Sequence, residues 1–381
     1  MWFKIIPFLC IAPALCYGLI TLVCARKFFS RRVNDTGCHP PVTILKPVKG
    51  VDAESFENFS SFCVQEYPLY QIVFAVALAE DPVIPVIKQL IAAYPEIDIE
   101  LVVDDRIYGP NYKVCNLIHA FSQAKYDLLI VCDSDIRVGP RYLREVAAPF
   151  YDPAVGLVTS LYRSPRIPNV PTALEAMGFT SEMIPNVMAA LCLEGLSFAL
   201  GASMAVRREA LEKIGGFPAL VDYLADDYQL GNMVHRAGYR LELSGYFVES
   251  VMKSESLRGV LSRQLRWART MRASRPAGYL ASGITLPVPA AFLALFLSGF
   301  SSSGWLAFSL LGLSRLWCGL LFSRMFVRDN IFPRYLWLLP LRDILAFFTW
   351  AFSFLGNRVV WRSHVFRVLP GGKIRDLGKK S

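Results

Sequence analysis

Charge is missing from two long stretches of this chain, and that distribution limits the possible folds more than any other feature. Residues 5–25 hold no charged side chain, and none occurs between Arg275 and Arg315. A helix needs about 20 apolar residues to cross the hydrocarbon layer of a bilayer, so 5–25 is long enough to span. Its alternative reading is a cleaved signal peptide. The run exceeds an apolar region of roughly 7–15 residues, and its charges come after it rather than before. Those charges are Arg26, Lys27, Arg31 and Arg32, and by the positive-inside rule they place the next part of the chain in the cytosol.

The C-terminal block reads as two further spans, 280–299 and 305–323, joined by the Ser301–Gly304 turn. The basic loop of Arg324, Arg328 and Arg334 agrees with a cytosolic return. A third segment, 335–356, is interrupted by Pro340, Arg342 and Asp343. It reads as a tilted span or an interfacial helix. The tail is rich in Arg and Lys from Arg358 to Lys380, which favours a cytosolic end, whereas a full fourth span would export it. Arg315 lies inside an expected span, either snorkelling to the interface or facing the bundle toward a lipid headgroup.

Composition agrees with this division. Hydrophobic residues are 54% and charged residues 19%, against ~25% charged in soluble domains. The net charge of +9 suits basic flanks on anionic lipid, and no nucleic-acid module is present. The nine cysteines form no C-x-x-C pair, and the four histidines are scattered. A reducing cytosol predicts no disulfides. Any cation must be held by carboxylates, which suits Mg²⁺ or Mn²⁺.

The middle of the chain has ordinary polarity. Strand-like runs at 42–46, 71–78, 98–103, 127–132 and 155–161 alternate with helical stretches at 82–94, 112–124 and 140–149. This predicts an α/β domain with a parallel-rich sheet covered on both faces. Such sheets bind ligands beyond the carboxyl ends of their strands. Glu80 and Asp81 come after the second strand, and Asp133-Ser134-Asp135 after the fourth. Two carboxylates two residues apart leave a strand on one side and can hold a cation that bridges a diphosphate. Asp226 and Asp227 precede a helix at 228–237, where Asp226 reads equally as a helix cap. Arg263, Arg266, Arg269, Arg272 and Arg275 recur at every third position. This is either a membrane-surface helix or, for the first two, a phosphate clamp. The apolar stretch 186–200 reads as an interfacial or acceptor-facing segment rather than a span.

These elements, in this order, resemble the processive-type glycosyltransferase pattern of D, D-x-D, [E/D]-D and [Q/R]-x-x-R-W. More closely, the chain resembles the ceramide glucosyltransferase family and its bacterial branch, which includes hopanoid-associated glycosyltransferases. The shared strings are ILKPVKGVD (44–52), EDP (80–82), CDSDIRV (132–138), GASMAVRREAL (201–211), ADDY (225–228) and RQLRW (263–267). Animal members tend to lack the second acid of D-x-D, whereas this chain keeps Asp135, which points to the bacterial branch and its inner membrane.

The resemblance implies a Rossmann-like GT-A nucleotide-diphospho-sugar transferase domain at 40–255, behind an anchor at 1–32. An amphipathic interface helix at 256–279, membrane or interfacial helices at 280–356 and a basic cytosolic tail at 357–381 complete the expected division. It implies an inverting transfer from a UDP-sugar, UDP-glucose or UDP-N-acetylglucosamine, to the hydroxyl of a ceramide-like or hopanoid lipid. Asp81, with Glu80, would contact the nucleotide. Asp133 and Asp135 would hold the metal, and Lys113 of GPNYK would lie near the donor. Asp227 would be the general base. Arg263 and Arg266 would stabilise the departing UDP, and Trp267 would pack beside sugar or acceptor. The alternatives are a polysaccharide synthase, a polyprenyl-phosphate sugar transferase and a non-enzymatic membrane scaffold. The sequence leaves the sugar, the acceptor and the oligomeric state open.

Overall fold

The computed structural model describes residues 2–31, 37, 39–362 and 364–379. Arg32, Cys38 and Lys380 lie outside the described residues. The chain forms two compact units, each assembled from separated stretches. A sheet unit comprises Arg32–Arg166 and Leu196–Lys253, and a helical unit comprises Met1–Arg31, Ile167–Gly195 and Ser254–Ser381.

The sheet unit contains β1 (Val42–Pro47), α2 (Ser55–Cys63), β2 (Tyr70–Val76), α3 (Ile84–Ala93), β3 (Asp98–Val103), α4 (Tyr112–Phe121) and β4 (Leu128–Cys132). It continues with β5 (Ile136–Arg137), α5 (Tyr142–Ala147), β6 (Val155–Arg163), β7 (Ser203–Arg207), α8 (Arg208–Lys213), α9 (Asp226–Arg236) and β8 (Arg240–Ser250). The strand order is β3-β2-β1-β4-β7-β6-β8-β5. The first four strands are parallel, as the alternation predicts. Beyond them β7 runs antiparallel to both β4 and β6, so the sheet is mixed. Neither β7 nor β8 is among the runs expected from sequence. β7 is five residues long with an apolar run of only three, Met204–Val206, and its burial comes from two neighbours distant in the chain. β1, β2 and β4 are buried at every position, as central parallel strands must be.

The helical unit contains α1 (Trp2–Phe29), α6 (Val170–Gly178), a π-helical turn (Phe179–Met183), α7 (Ile184–Leu193), α10 (Leu257–Ser274), α11 (Pro276–Ser282) and α12 (Pro287–Leu297). Beyond these lie α13 (Ser302–Leu321), α14 (Ile331–Arg334), α15 (Leu339–Ser353), β9 (Arg358–Trp361), β10 (His364–Val368) and β11 (Ile374–Lys379). Among the described residues four helices are long and apolar enough to cross a membrane: Ile5–Phe29, Val170–Leu193, Ser302–Val327 and Leu336–Ser353. α11 and α12 would form a fifth if counted as one span, bent by 53° where Gly283 and Pro287 interrupt the helix.

Three expectations change. The stretch 40–255 is not one body, because 167–195 belongs to the helical unit. The segment 186–200 begins inside a helix, Val170–Leu193, that is itself long and apolar enough to span. Within the stretch 357–381, read as a tail, Arg358–Trp361, His364–Val368 and Ile374–Lys379 form a three-stranded sheet ordered β11-β10-β9. The third C-terminal segment also keeps its charges. Asp343 accepts two hydrogen bonds from Arg315, at 3.0 and 2.9 Å, and Arg315 also donates to the Ser181 carbonyl at 2.7 Å. Arg342 pairs with Glu182. Arg315 therefore neither snorkels nor waits for a headgroup: a carboxylate on another helix of its own unit meets its charge, as buried ions require.

One close approach sets the seat of α9. A Cβ added at Gly231 would lie 2.4 Å from the Ala199 backbone nitrogen, and backbone cannot swing aside. We expect Gly231→Ala to cost about 2 kcal/mol by overpacking. It should read as a lower melting temperature of the purified protein, whereas Gly245→Ala, with open space around it, leaves melting unchanged.

Candidate active site

The sheet unit gathers its acids at the carboxyl ends of β1 and β4. β4 ends at Cys132, and Asp133 and Asp135 come directly after it. The buried Lys46 on β1 donates from Nζ to the Asp133 carbonyl at 3.0 Å and lies over the Phe62 ring at 3.5 Å. Burial lowers the Lys46 pKa against the opposing pull of Cys132, Asp133 and Asp135. Asp52, in the loop after β1, accepts from the Ser134 hydroxyl at 2.6 Å and so pins the residue between the two motif acids.

Lys113 joins two motifs that lie far apart in the chain. Its Nζ stands 2.7 Å from Asp133 Oδ1 and 3.3 Å from Asp226 Oδ2. Burial alone would lower its pKa, but the charges of Asp133 and Asp226 outweigh this and raise it. Asn111 sets the start of α4. Its Oδ1 accepts from the Val114 amide at 3.2 Å, and its Nδ2 donates to the Tyr223 carbonyl at 2.7 Å. Asp226 therefore serves the cluster instead of capping α9, whose cap position is Ala225 and accepts no side-chain bond.

Asp227 stands in the first turn of α9, half-buried, and its Oδ1 accepts from the Tyr228 amide at 2.7 Å. Burial, and then the neighbouring Asp226 charge, push its carboxyl up to about 6, against the lowering effect of Lys113. Gly201 faces it: a Cβ there would sit 2.9 Å from Asp227 Oδ2. Asp135 is also pushed up to about 6, first by burial and then by the charges of Asp133 and Asp52. Its Oδ2 accepts from the Ser250 hydroxyl at 3.3 Å.

Asp81 lies in the loop after β2, where its carboxylate accepts from the amides of Gly50 and Val83, each at 3.0 Å. Gly50 has φ +72, a conformation that glycine adopts at least cost, and this turn brings its amide to Asp81. Glu80 is exposed. Arg263, Arg266 and Trp267 lie on α10 of the helical unit. Arg263 forms a two-bond pair with Glu175, both bonds 2.7 Å, and Glu175 is 2% exposed. Arg266 lies over the rings of Trp267 and Trp361 at 5.9 and 5.7 Å. Trp267 is exposed.

Sequence reasoning thus reached Lys113, Asp133, Asp135 and Asp227, which the sheet unit brings together. It passed over Lys46, Asp52 and Asn111, and it left Asp226 divided between a cap and a function. The strings ILKPVKGVD and GPNYK carry three of these four, but pattern alone does not show that their side chains converge. Among the described residues no three His, Cys, Asp or Glu side chains converge as a metal cage. Two clustered carboxylates, one of them raised by burial and then by its neighbour's charge, nevertheless fit Mg²⁺ or Mn²⁺. Mg²⁺ in particular is commonly bound by one or two carboxylates, with substrate phosphates and water completing the shell.

A parallel half-sheet joined to antiparallel strands, with acids at the strand ends, defines a glycosyltransferase of the GT-A type. A mannosyltransferase from Pyrobaculum calidifontis, solved in complex with GDP-Man and Mn²⁺, shares the fold. Its TM-score is 0.56 at 17% identity, covering 92% of this chain and 96% of that one. The chain belongs to glycosyltransferase family 21, whose sequence profile matches residues 6–374. It is 26% identical to ceramide glucosyltransferase 3 of Caenorhabditis elegans over 368 residues, covering 93% of this chain and 79% of that protein. It is 40% identical to a ceramide glucosyltransferase of Candida albicans over 124 residues, or 29% of this chain and 23% of that protein.

The Gly201 contact supplies a test of how tightly the Asp227 carboxylate must be placed. Gly201→Ala should lower kcat by tenfold or more, since a displacement of about 1 Å can cost roughly a hundredfold. The melting temperature should stay close to that of the parent protein, because the atom that must yield belongs to a side chain.

Proposed function

We propose that this chain transfers a hexosyl group from a UDP-sugar, UDP-glucose or UDP-N-acetylglucosamine, to the hydroxyl of a membrane lipid, ceramide-like or hopanoid. The observation that carries the reading is the Asp227 carboxylate, held at about 6 in one cluster with Lys113, Asp133 and Asp226. A lipid hydroxyl is a weak nucleophile at neutral pH. A carboxylate whose pKa lies near the working pH is ionised there yet basic enough to take the proton as attack proceeds. One displacement with Asp227 as base would invert the anomeric carbon. The ceramide glucosyltransferases among its relatives support a lipid acceptor, and so do the four helices able to cross a membrane.

In this reading Asp133 and Asp135 hold Mg²⁺ or Mn²⁺, which when bound neutralises charge on the donor diphosphate. Lys113 adds a fixed positive charge and keeps Asp133 aimed. Asp81 and Glu80 border the nucleotide, with Asp81 bracing the loop at Gly50. Arg263 and Arg266 are assigned to the departing UDP, and Trp267 to sugar or acceptor, by the R-Q-L-R-W motif. Glu175 fixes the guanidinium of Arg263. The basic flank after α1 supports a cytosolic sheet unit, and the retained Asp135 supports a bacterial inner membrane.

The decisive assay offers UDP-sugar and membrane lipid to the purified full chain and identifies the product by mass spectrometry. A glycolipid stable to mild acid is expected; a polymer or an acid-labile product would overturn the proposal. Asp227→Asn, folded and inserted, should lose at least a hundredfold in kcat. Since the Asp227 pKa is raised from the ordinary ~3.9, the active carboxylate is lost as pH falls. kcat/KM should drop about tenfold for each pH unit below about 6 and level off above it. Chelation of divalent ions should abolish transfer, and added Mg²⁺ or Mn²⁺ should restore it.

A further inference from the structure

The C-terminal sheet carries an arrangement that neither the motifs nor the proposed reaction uses. Arg358 on β9 stands directly opposite Arg367 on β10, and Arg367 stands directly opposite Arg375 on β11. Directly opposed residues share a face, so three guanidinium groups form a row across all three strands. Val360 and Val365, opposite each other and two residues along from Arg358 and Arg367, occupy that face too. Arg358 and Arg375 are exposed, and Arg367, Val360 and Val365 are half-buried. The other face is buried through Val359, Phe366, Val368 and Ile374. The one acid of the sheet, Asp376, pairs with Phe366 on that buried side and is held by His364 Nδ1 at 2.9 Å. No acid of the sheet itself lies on the arginine face.

Like charges directly opposite each other destabilise a sheet. A row of three is consistent with an anionic partner that offsets the repulsion. The chain itself limits which partner can reach it. The sheet begins five residues after Ser353, the end of a helix able to span a membrane, a reach of at most about 17 Å. That connection is braced. Arg269 donates to the carbonyls of Leu355, at 2.9 Å, and Arg358, and Arg272 donates to that of Gly356 at 3.0 Å. The arginine row is therefore fixed close to the end of a membrane helix and is mixed with valines, as suits the boundary between headgroups and acyl chains.

We propose that this face of the C-terminal sheet docks on the surface of an anionic phospholipid bilayer, with Arg358, Arg367 and Arg375 on lipid phosphates and Val360 and Val365 against the acyl boundary. The docking does not depend on which sugar or acceptor the enzyme uses. It does connect lipid charge to α10, because the same brace residues belong to the helix that carries Arg263 and Arg266.

The test reconstitutes the full chain in vesicles of phosphatidylcholine alone and of phosphatidylcholine with phosphatidylglycerol, and tracks amide hydrogen exchange over 358–379. Exchange should slow in the anionic vesicles and recover in high salt. Each neutralised arginine should weaken the protection about fivefold, from roughly 1 kcal/mol per basic residue near a charged surface. The triple variant R358Q/R367Q/R375Q should lose the response, and R358K/R367K/R375K should keep it. Equal exchange of the parent protein in both vesicles overturns the proposal. So does a glutamine variant that still responds. Protection produced by inorganic phosphate in neutral vesicles would mean a discrete phosphate site and would also overturn it. Should the glutamine variant prove unfolded, the salt dependence of the parent and the response of the lysine variant decide.

Discussion

The ammonium of Lys113 between Asp133 and Asp226 is the interaction on which the acidic cluster depends. Three motifs meet there: the start of α4, the end of β4 and the first turn of α9. Without a cation between them, carboxylates this close would repel one another or take up protons. With it, Asp226 has a charge partner in a buried place that helix capping does not explain. Asp227, one residue on, is left as the carboxyl whose proton affinity rises. One lysine thus gives two adjacent aspartates different surroundings: Asp226 is paired with it, and Asp227 carries the raised proton affinity.

The helical unit solves a related problem with full ion pairs. A segment meant for hydrocarbon carries Arg342 and Asp343, and another carries Arg315. Each charge finds an opposite one on a different helix of the unit, with Glu182 and Ser181 supplied by the π-helical turn. The arginine series on α10 is committed in the same way. Arg263 goes to Glu175, Arg275 to Glu194, and Arg269 and Arg272 to backbone carbonyls beyond α15. A period of three in the sequence looks like one continuous basic face. The structure divides it among packing partners, with Arg266 lying over the rings of Trp267 and Trp361 and Arg272 over that of Phe354.

Much of this is legible in the sequence, for identifiable reasons. β1, β2, β4 and β6 announce themselves because central strands buried on both sides read as apolar runs, whereas β3, half-buried at the sheet edge, shows as the β-rich run DIELVV. Asp133 and Asp135 stand out because they come directly after such a run. β7 does not, since its apolar run is only three residues long and the strand is held by β4 and β6, which are remote in sequence. The same limit hides Asp52 and Lys46, whose roles consist of contacts at Ser134 and at the Asp133 carbonyl.

By itself the sequence determined the inventory: which stretches are apolar enough for a membrane, which runs pair as parallel strands, and which acids and arginines stand in transferase order. These are local properties, set by hydropathy over about 20 residues and by side-chain alternation along a strand. Only the tertiary structure decided the partners. It assigned 167–195 to the helical unit, folded the basic C-terminal stretch into a sheet with an arginine row, and gave Lys113 its two carboxylates. The physical reason is that a charge is stabilised by whatever opposite charge lies within a few ångströms, and chain folding, not chain order, determines which groups come that close.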